Sequence, residues 1–241
     1  MALVIGLYLY DAVLLLHLNE GILRPRGRAP WSREREAWAV GFGSQRFQMR
    51  GKELRLPNPL LLHRPVFRLT WALEGAPVDK TRSLTQWTAQ GRAFRGAAPM
   101  LWGIALALFV LLPLGLFTRL GETMLLLTLA LVYLNLLALL AWLWFSRKRL
   151  DVSGRQFASI SFEYLTCAPF ALNLVQRLSL RTQVAEDLVH AARRLQQAKD
   201  WDATRAALLA RLDEEIESEI EGSERRQRMQ AHRDALAREG A

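Results

Sequence analysis

Two stretches of the chain, Met100 to Phe117 (MLWGIALALFVLLPLGLF) and Thr123 to Phe145 (TMLLLTLALVYLNLLALLAWLWF), contain no charged side chain. At 1.5 Å of rise per residue, 18 and 23 residues span about 27 and about 34 Å, which matches the ~30 Å hydrocarbon core of a bilayer. Only Thr118 to Glu122, TRLGE, separates them. A soluble domain distributes its apolar residues periodically; here they are clumped. The pattern predicts a transmembrane hairpin, with one helix over 99–118 and the next over 122–146.

A third apolar run opens the chain: MALVIGLYLYDAVLLLHLNEG, interrupted at Asp11. It has no basic residue before Arg24 and runs into HLNEGILRPRGR, so it lacks the charged start and small-residue cleavage site of a signal peptide. The expectation is a retained first span over 1–19. A carboxylate at the centre of such a helix costs about 2.5–3.5 kcal/mol, and the Leu, Ile and Val neighbours offset that at about 0.3–0.6 kcal/mol each. Asp11 therefore needs a polar partner away from lipid. Counted from the outer side, Asp11 and Asn135 fall at comparable depths, on the order of 14 and 18 Å. This predicts an intramembrane polar contact of Asp11 with Asn135 or Tyr133 that ties the first helix to the hairpin.

Orientation follows from charge, because Lys and Arg collect on the cytoplasmic side of short connections. The segment from Glu20 to Ala98 holds fifteen bases against six acids, and Arg147, Lys148, Arg149 and Arg155 follow the last hairpin helix at once. The intervening turn holds just Arg119 and Glu122. These counts place the N-terminus and the turn outside, and the bulk of the soluble mass on the cytoplasmic face. Trp102, Trp142 and Trp144 sit at the inner ends of the hairpin helices, where amphipathic rings anchor at the interface. With Trp87 and the Arg147, Lys148, Arg149 cluster they form the predicted interfacial anchors, the bases facing anionic lipid headgroups.

Between the spans, 20–78 reads as a small basic β domain. PVFRLTWALEG alternates, with Phe67, Leu69, Trp71 and Leu73 on one face and Arg68, Thr70 and Glu74 on the other. RFQMRGKELRLPNP adds two short strands around Arg50, Gly51 and Lys52, so an antiparallel meander of three or four strands is expected. Asp79 opens an interfacial helix over 79–98 that puts Leu84, Trp87 and Phe94 on one side. The segment 156–181 has the length of a span, yet Ser, Thr, Asn and Gln dilute it and Pro169 divides it. It reads as a broken interfacial or re-entrant element whose only charges inside the apolar stretch are Glu163 and Arg177. From 182 to 241 the pattern is that of cytoplasmic amphipathic helices. One stripe holds Val184, Leu188, Val189, Ala192 and Leu195, and another Ala206, Leu209, Leu212, Ile216 and Ile220, with Asp200 or Asp202 as cap between them. Acidic LDEEIESEIEGSE then meets basic RRQRMQAHRDALAR, with Glu221 to Arg225 and Glu224 to Arg228 at i, i+4 spacing.

The fold class is thus a mainly α integral membrane protein: three transmembrane helices, a small cytoplasmic antiparallel β meander and a C-terminal helical hairpin. The net charge is +9, carried almost entirely by Arg, with Lys52, Lys80, Lys148 and Lys199 the only lysines. That excess fits GC-rich coding and a bacterial inner membrane. Basic patches also suit nucleic acid, but no nucleic-acid motif is present and membrane tethering accounts for the charge.

A single cysteine, Cys167, excludes an internal disulfide and a cysteine-based zinc site. His17, His63, His190 and His232 have no ligand spacing, and no HExxH, GxSxG or phosphate-loop pattern occurs. GFGSQRF places Arg46 where a dinucleotide fingerprint needs its third glycine. No catalytic, cofactor or metal residue is therefore expected. The residues predict a non-catalytic structural or assembly subunit of a membrane complex, whose partners are other membrane subunits or further copies of the chain. Two other readings compete: a transport or channel subunit using Asp11, and an enzyme acting on a membrane substrate near Cys167.

Overall fold

The computed structural model describes residues 2–17, 19–26, 38–50, 52–58, 61–71, 91–118, 121–181 and 187–238. The chain divides into two compact units. The first comprises Met1–Leu15, Leu54–Val66 and Arg82–Gln183; the second comprises Leu16–Glu53, Phe67–Thr81 and Val184–Ala241.

The first unit is built on two helices long and apolar enough to cross a membrane, α2 (Gly91–Phe117) and α3 (Gly121–Ser146). They pack along one seam lined by Leu101, Ile104 and Leu108 of α2 and Val132, Leu136, Leu139 and Leu143 of α3, all buried. Small residues let the backbones approach. A β-carbon on Gly103 would lie 2.3 Å from Asn135 Oδ1, and one on Gly96 would lie 2.5 Å from Trp142 Nε1. Within α2, Ala107–Leu111 widens into a π turn. Pro113 explains it, since a proline ring clashes with the carbonyl four residues back and removes one helical donor.

The N-terminal run departs from the expected 19-residue span. Its helix, α1, covers Ala2–Ala12, about 16 Å of rise, and the chain continues as a strand, β1 (Leu14–Leu16). Side chains from elsewhere in the unit end the helix: Asn173 Nδ2 donates to Tyr8 O (3.2 Å) and Gln176 Nε2 donates to Ala12 O (2.8 Å). With its last carbonyls satisfied this way, α1 needs no further turn. Leu14 and Leu16 are buried and Leu15 is not, the period of a strand.

After α3, a turn with Asp151 at φ 56° leads to α4 (Gly154–Thr166). Ser153 and Gln156 form a capping box: Gln156 N donates to Ser153 Oγ and Ser153 N donates to Gln156 Oε1. A 3-10 turn, Ala168–Asn173, then breaks the segment at Pro169 before α5 (Leu174–Arg181). Ile160 and Tyr164 of α4 and Leu172, Leu174 and Val175 beyond it join the core of the hairpin.

In the second unit, β2 (Glu20–Pro25) is the middle strand of an antiparallel sheet, between β3 (Trp38–Gly41) and β6 (Phe67–Thr70). The register sets Leu23 opposite Val40 on one side and Phe67 on the other. Leu23, Trp38, Phe67, Leu69 and Trp71 are buried on one face, and Ile22 is buried on the other. Each such side chain contributes about 1.5–3 kcal/mol. β4 (Ser44–Met49) and β5 (Lys52–Arg55) meet at Arg50, whose φ is 54°, and a second sheet has the order β1-β5-β4. Among the described residues two three-stranded sheets thus replace the single meander, because the N-terminal run supplies a strand and β2 pairs on both edges. Helix α6 (Leu188–Leu195) covers the first sheet. Gly21 makes the room: a β-carbon there would lie 2.6 Å from Leu188 Cδ2.

A helical hairpin closes the unit: α7 (Ala198–Ser218) and α8 (Glu224–Arg238). Asp200 lies in the first turn of α7 and Gln197 holds the cap position, so neither aspartate caps. The acidic and basic runs pair with each other, Arg233 Nε donating to Asp213 Oδ1 at 2.6 Å, Arg225 lying 3.3 Å from Glu219 and Arg228 2.9 Å from Glu224. Glu221 lies 3.7 Å from Arg226 instead of meeting Arg225.

Candidate functional site

The polar groups of the first unit converge on the C-terminal end of α1. Asp11 Oδ2 accepts from Asn173 Nδ2 at 3.0 Å, and its other oxygen is 3.7 Å from Arg177 Nη1. That same Nη1 donates to Glu163 Oε1 at 2.6 Å. Helix α4 brings Glu163 and Tyr164, the 3-10 turn brings Asn173, and α5 brings Gln176 and Arg177. The break at Pro169 folds the last two pieces back on the first. Tyr164 is fully buried, and its hydroxyl makes no hydrogen bond among the described residues. Burial pushes its phenol well above the ordinary value, so it remains an O–H. Burial also pushes up the Cys167 thiol beside it, which leaves a weak nucleophile.

The predicted partners of Asp11 are engaged elsewhere. Asn135 Nδ2 donates to Leu131 O at 2.8 Å within its own helix while its side chain packs on Gly103, and Tyr133 Oη donates to Leu165 O at 3.3 Å. α1 is shorter than the full span that equal depths of Asp11 and Asn135 require. A helix of two to three turns that ends at Ala12 meets the 168–181 segment instead. Asn173 and Arg177 were missed, although a lone Glu163 and a lone Arg177 in an otherwise apolar stretch were a visible signal.

The interfacial aromatics separate into two kinds. Trp142 fills the notch at Gly96. Trp102 and Trp144 are exposed, Trp102 with the His63 ring 6.4 Å away and Trp144 packed edge-on to Phe157 at 5.0 Å. Arg147 stacks on the Trp144 ring with its guanidinium carbon 3.7 Å from the centroid. Lys148 and Arg149 are exposed in the turn that follows. Trp87 and most of the expected 79–98 helix lie outside the described residues.

The second unit buries a salt bridge. Glu53 of β5, 0% exposed, accepts two bonds from Arg211 of α7, Nη1 to Oε1 at 2.9 Å and Nη2 to Oε2 at 2.8 Å. Arg211 Nη2 also donates to Gly43 O at 3.1 Å, and its guanidinium lies 4.5 Å over the Phe42 ring. Gly43 is required here, since a β-carbon would sit 2.3 Å from Glu53 Cβ. One turn along α7, Glu215 is buried with Oε1 unpartnered among the described residues.

Burial holds Glu215 above the usual carboxylate range against the pull of Arg225 and Arg211, with Glu53 and Glu214 reinforcing the rise. A carboxyl raised in the folded state contributes stability that is present below the unfolded value of about 4.3 and lost as pH rises through the folded value. Glu215→Gln is therefore expected to raise the melting temperature at pH 7 and to flatten its dependence on pH above about 4.3. Thermal unfolding followed by circular dichroism across that range checks both.

Among the described residues no three His, Cys, Asp or Glu side chains converge as metal ligands. No protein-family model, curated protein or solved structure matches the chain.

Proposed function

We propose that the chain is a non-catalytic assembly subunit of a bacterial inner-membrane complex, held in the bilayer by the α2–α3 hairpin, with its second unit presented to partners on the cytoplasmic face. The observation that carries this reading is the outward-facing apolar surface of the hairpin. Only 33% and 28% of the apolar stretches of α2 and α3 is buried within the molecule. Leu106, Val110, Leu114, Leu126, Leu129, Leu134 and Leu137 are exposed. A contiguous apolar surface of that extent needs lipid or protein against it. On α1, Leu3, Ile5, Leu9 and Tyr10 extend the same character.

The bases after α3 supply orientation. Arg147, Lys148 and Arg149 lie at one end of the hairpin, where anionic headgroups attract them by about 1 kcal/mol each. The exposed Phe162 and Leu165 of α4, opposite its buried Ile160 and Tyr164, fit the same interface. Partners of the second unit are other membrane subunits or a further copy of the chain.

Gentle solubilisation from the native host, with an affinity tag after Ala241, followed by size-exclusion chromatography and mass spectrometry, tests the assembly role. A partner in fixed stoichiometry is expected. A chain that elutes alone as a monomer contradicts it.

A further inference from the structure

Helix α4 folds back along α3 from the turn that joins them. Near that turn the Phe157 ring meets the Trp144 ring edge-on at 5.0 Å, and at the far end of α4 Tyr133 Oη donates to Leu165 O at 3.3 Å. From Phe157 to Leu165 is about 12 Å of helical rise, against about 17 Å from Trp144 back to Tyr133, so the two helices run antiparallel. Tyr133 lies midway along α3. One leaflet contributes about 15 Å of the hydrocarbon core, so with α3 across the bilayer α4 runs from the headgroup level down among the acyl chains.

One stripe of α4 is left uncovered. Arg155, Ala158, Ser159, Phe162 and Leu165 recur at helical spacing and are exposed, opposite the buried Ile160 and Tyr164. Its charged member stands beside the turn, and its large apolar members, Phe162 at 73% and Leu165 at 39% exposed, stand at the deep end. The turn adds Arg147, Lys148 and Arg149, with Asp151 the single acid between them and Arg155. None of these four bases pairs with a carboxylate among the described residues. The Arg147 guanidinium is stacked on the Trp144 ring, 3.7 Å from its centroid, which occupies the flat face of the group and leaves its N–H edge for an anion.

We propose that the α3–α4 turn and the exposed stripe of α4 bind one anionic phospholipid, an inference that rests on the reading of α2 and α3 as membrane spans. The lipid phosphate accepts hydrogen bonds from Arg147 and Arg155, whose planar forks match two phosphate oxygens. Lys148 and Arg149 add positive charge around it, and an acyl chain lies along Phe162 and Leu165. The order along the stripe, charge at the turn and apolar surface deeper, is that of a phospholipid from head to tail. A zwitterionic lipid brings an ammonium group up to the same four bases, so the site selects a headgroup with net negative charge.

Native mass spectrometry of the full chain released from detergent micelles, titrated with dioleoyl phosphatidylglycerol or dioleoyl phosphatidylcholine, tests this. One phosphatidylglycerol is expected to be held about tenfold more tightly than phosphatidylcholine. Arg147→Gln combined with Arg155→Gln should bring the two lipids level, and Arg155→Gln alone should lower the preference if the double variant fails to fold. Arg181→Gln, at an exposed base ending α5, should leave the preference intact. Phe162→Ser should weaken both lipids alike, and inorganic phosphate should displace neither. Equal retention of the two lipids by a protein that stays in the micelle overturns the site alone. So does a preference that falls as far with Arg181→Gln, an unchanged affinity in Phe162→Ser, displacement by inorganic phosphate, or a photo-crosslinker at Phe162 that captures a protein subunit in place of lipid. A chain recovered from the soluble fraction overturns the membrane reading beneath it as well.

Discussion

Arg211→Met is expected to destabilise the second unit by about 3–5 kcal/mol, because it strands Glu53 in a site with no access to solvent. Removing one partner of a buried ion pair costs more than the pair contributes, since the remaining charge keeps its desolvation penalty. The same substitution strips Gly43 O of its bond from Arg211 and leaves the Phe42 ring without its cation. Glu53→Leu alone should cost a comparable amount through an unpaired guanidinium. The double variant, Glu53→Leu with Arg211→Met, replaces both charges by apolar groups of similar size and is expected to regain most of the loss. Denaturant unfolding of the three proteins reads this as a double-mutant cycle. Equal and additive losses in the two single variants and the double would show that the pair is not coupled.

Gly103→Ala carries the second large effect. The new β-carbon would lie 2.3 Å from Asn135 Oδ1 and 2.6 Å from Cγ, so either the two helices separate or Asn135 leaves its bond to Leu131 O. Overpacking of a close helix contact costs about 1–3 kcal/mol. Asn135→Ala in the same chain removes the obstructing amide and should restore the hairpin, whereas Asn135→Ala alone should be mild. Thermal unfolding in detergent, compared across the four proteins, separates the clash from a loss of glycine flexibility, which the second substitution would not repair.

The hairpin was legible because a run of 18 or more uncharged apolar residues has few folded alternatives. α2 and α3 cover both predicted segments. The strand at Phe67–Thr70 was legible for a related reason: alternation of Phe67, Leu69 and Trp71 with Arg68 and Thr70 is a period that a helix cannot satisfy.

The first 19 residues misled because a run of that length is ambiguous. Its end was decided by Asn173 and Gln176, more than 160 positions away along the chain. No local signal carries that information. The tail misled more subtly. Helical spacing was right, but the face was rotated: Thr204, Leu208, Arg211, Leu212, Glu215 and Ile216 are buried, and Ile220 is exposed. A buried Arg211 reads as solvated until Glu53 is known to meet it. The candidate site followed the same rule, with Asp11 conspicuous in the sequence and its partners Asn173 and Arg177 concealed by distance.

Insertion of the hairpin is the claim on which the functional account rests, and cysteine labelling in intact cells tests it most directly. In a Cys167→Ser background, Thr118→Cys places a thiol at the turn after α2, and Asp202→Cys places one on α7. A membrane-impermeant maleimide is expected to label Thr118→Cys in intact cells and to label Asp202→Cys only after the membrane is opened. Labelling of both sites from the same side, or recovery of the protein in the soluble fraction, would contradict it.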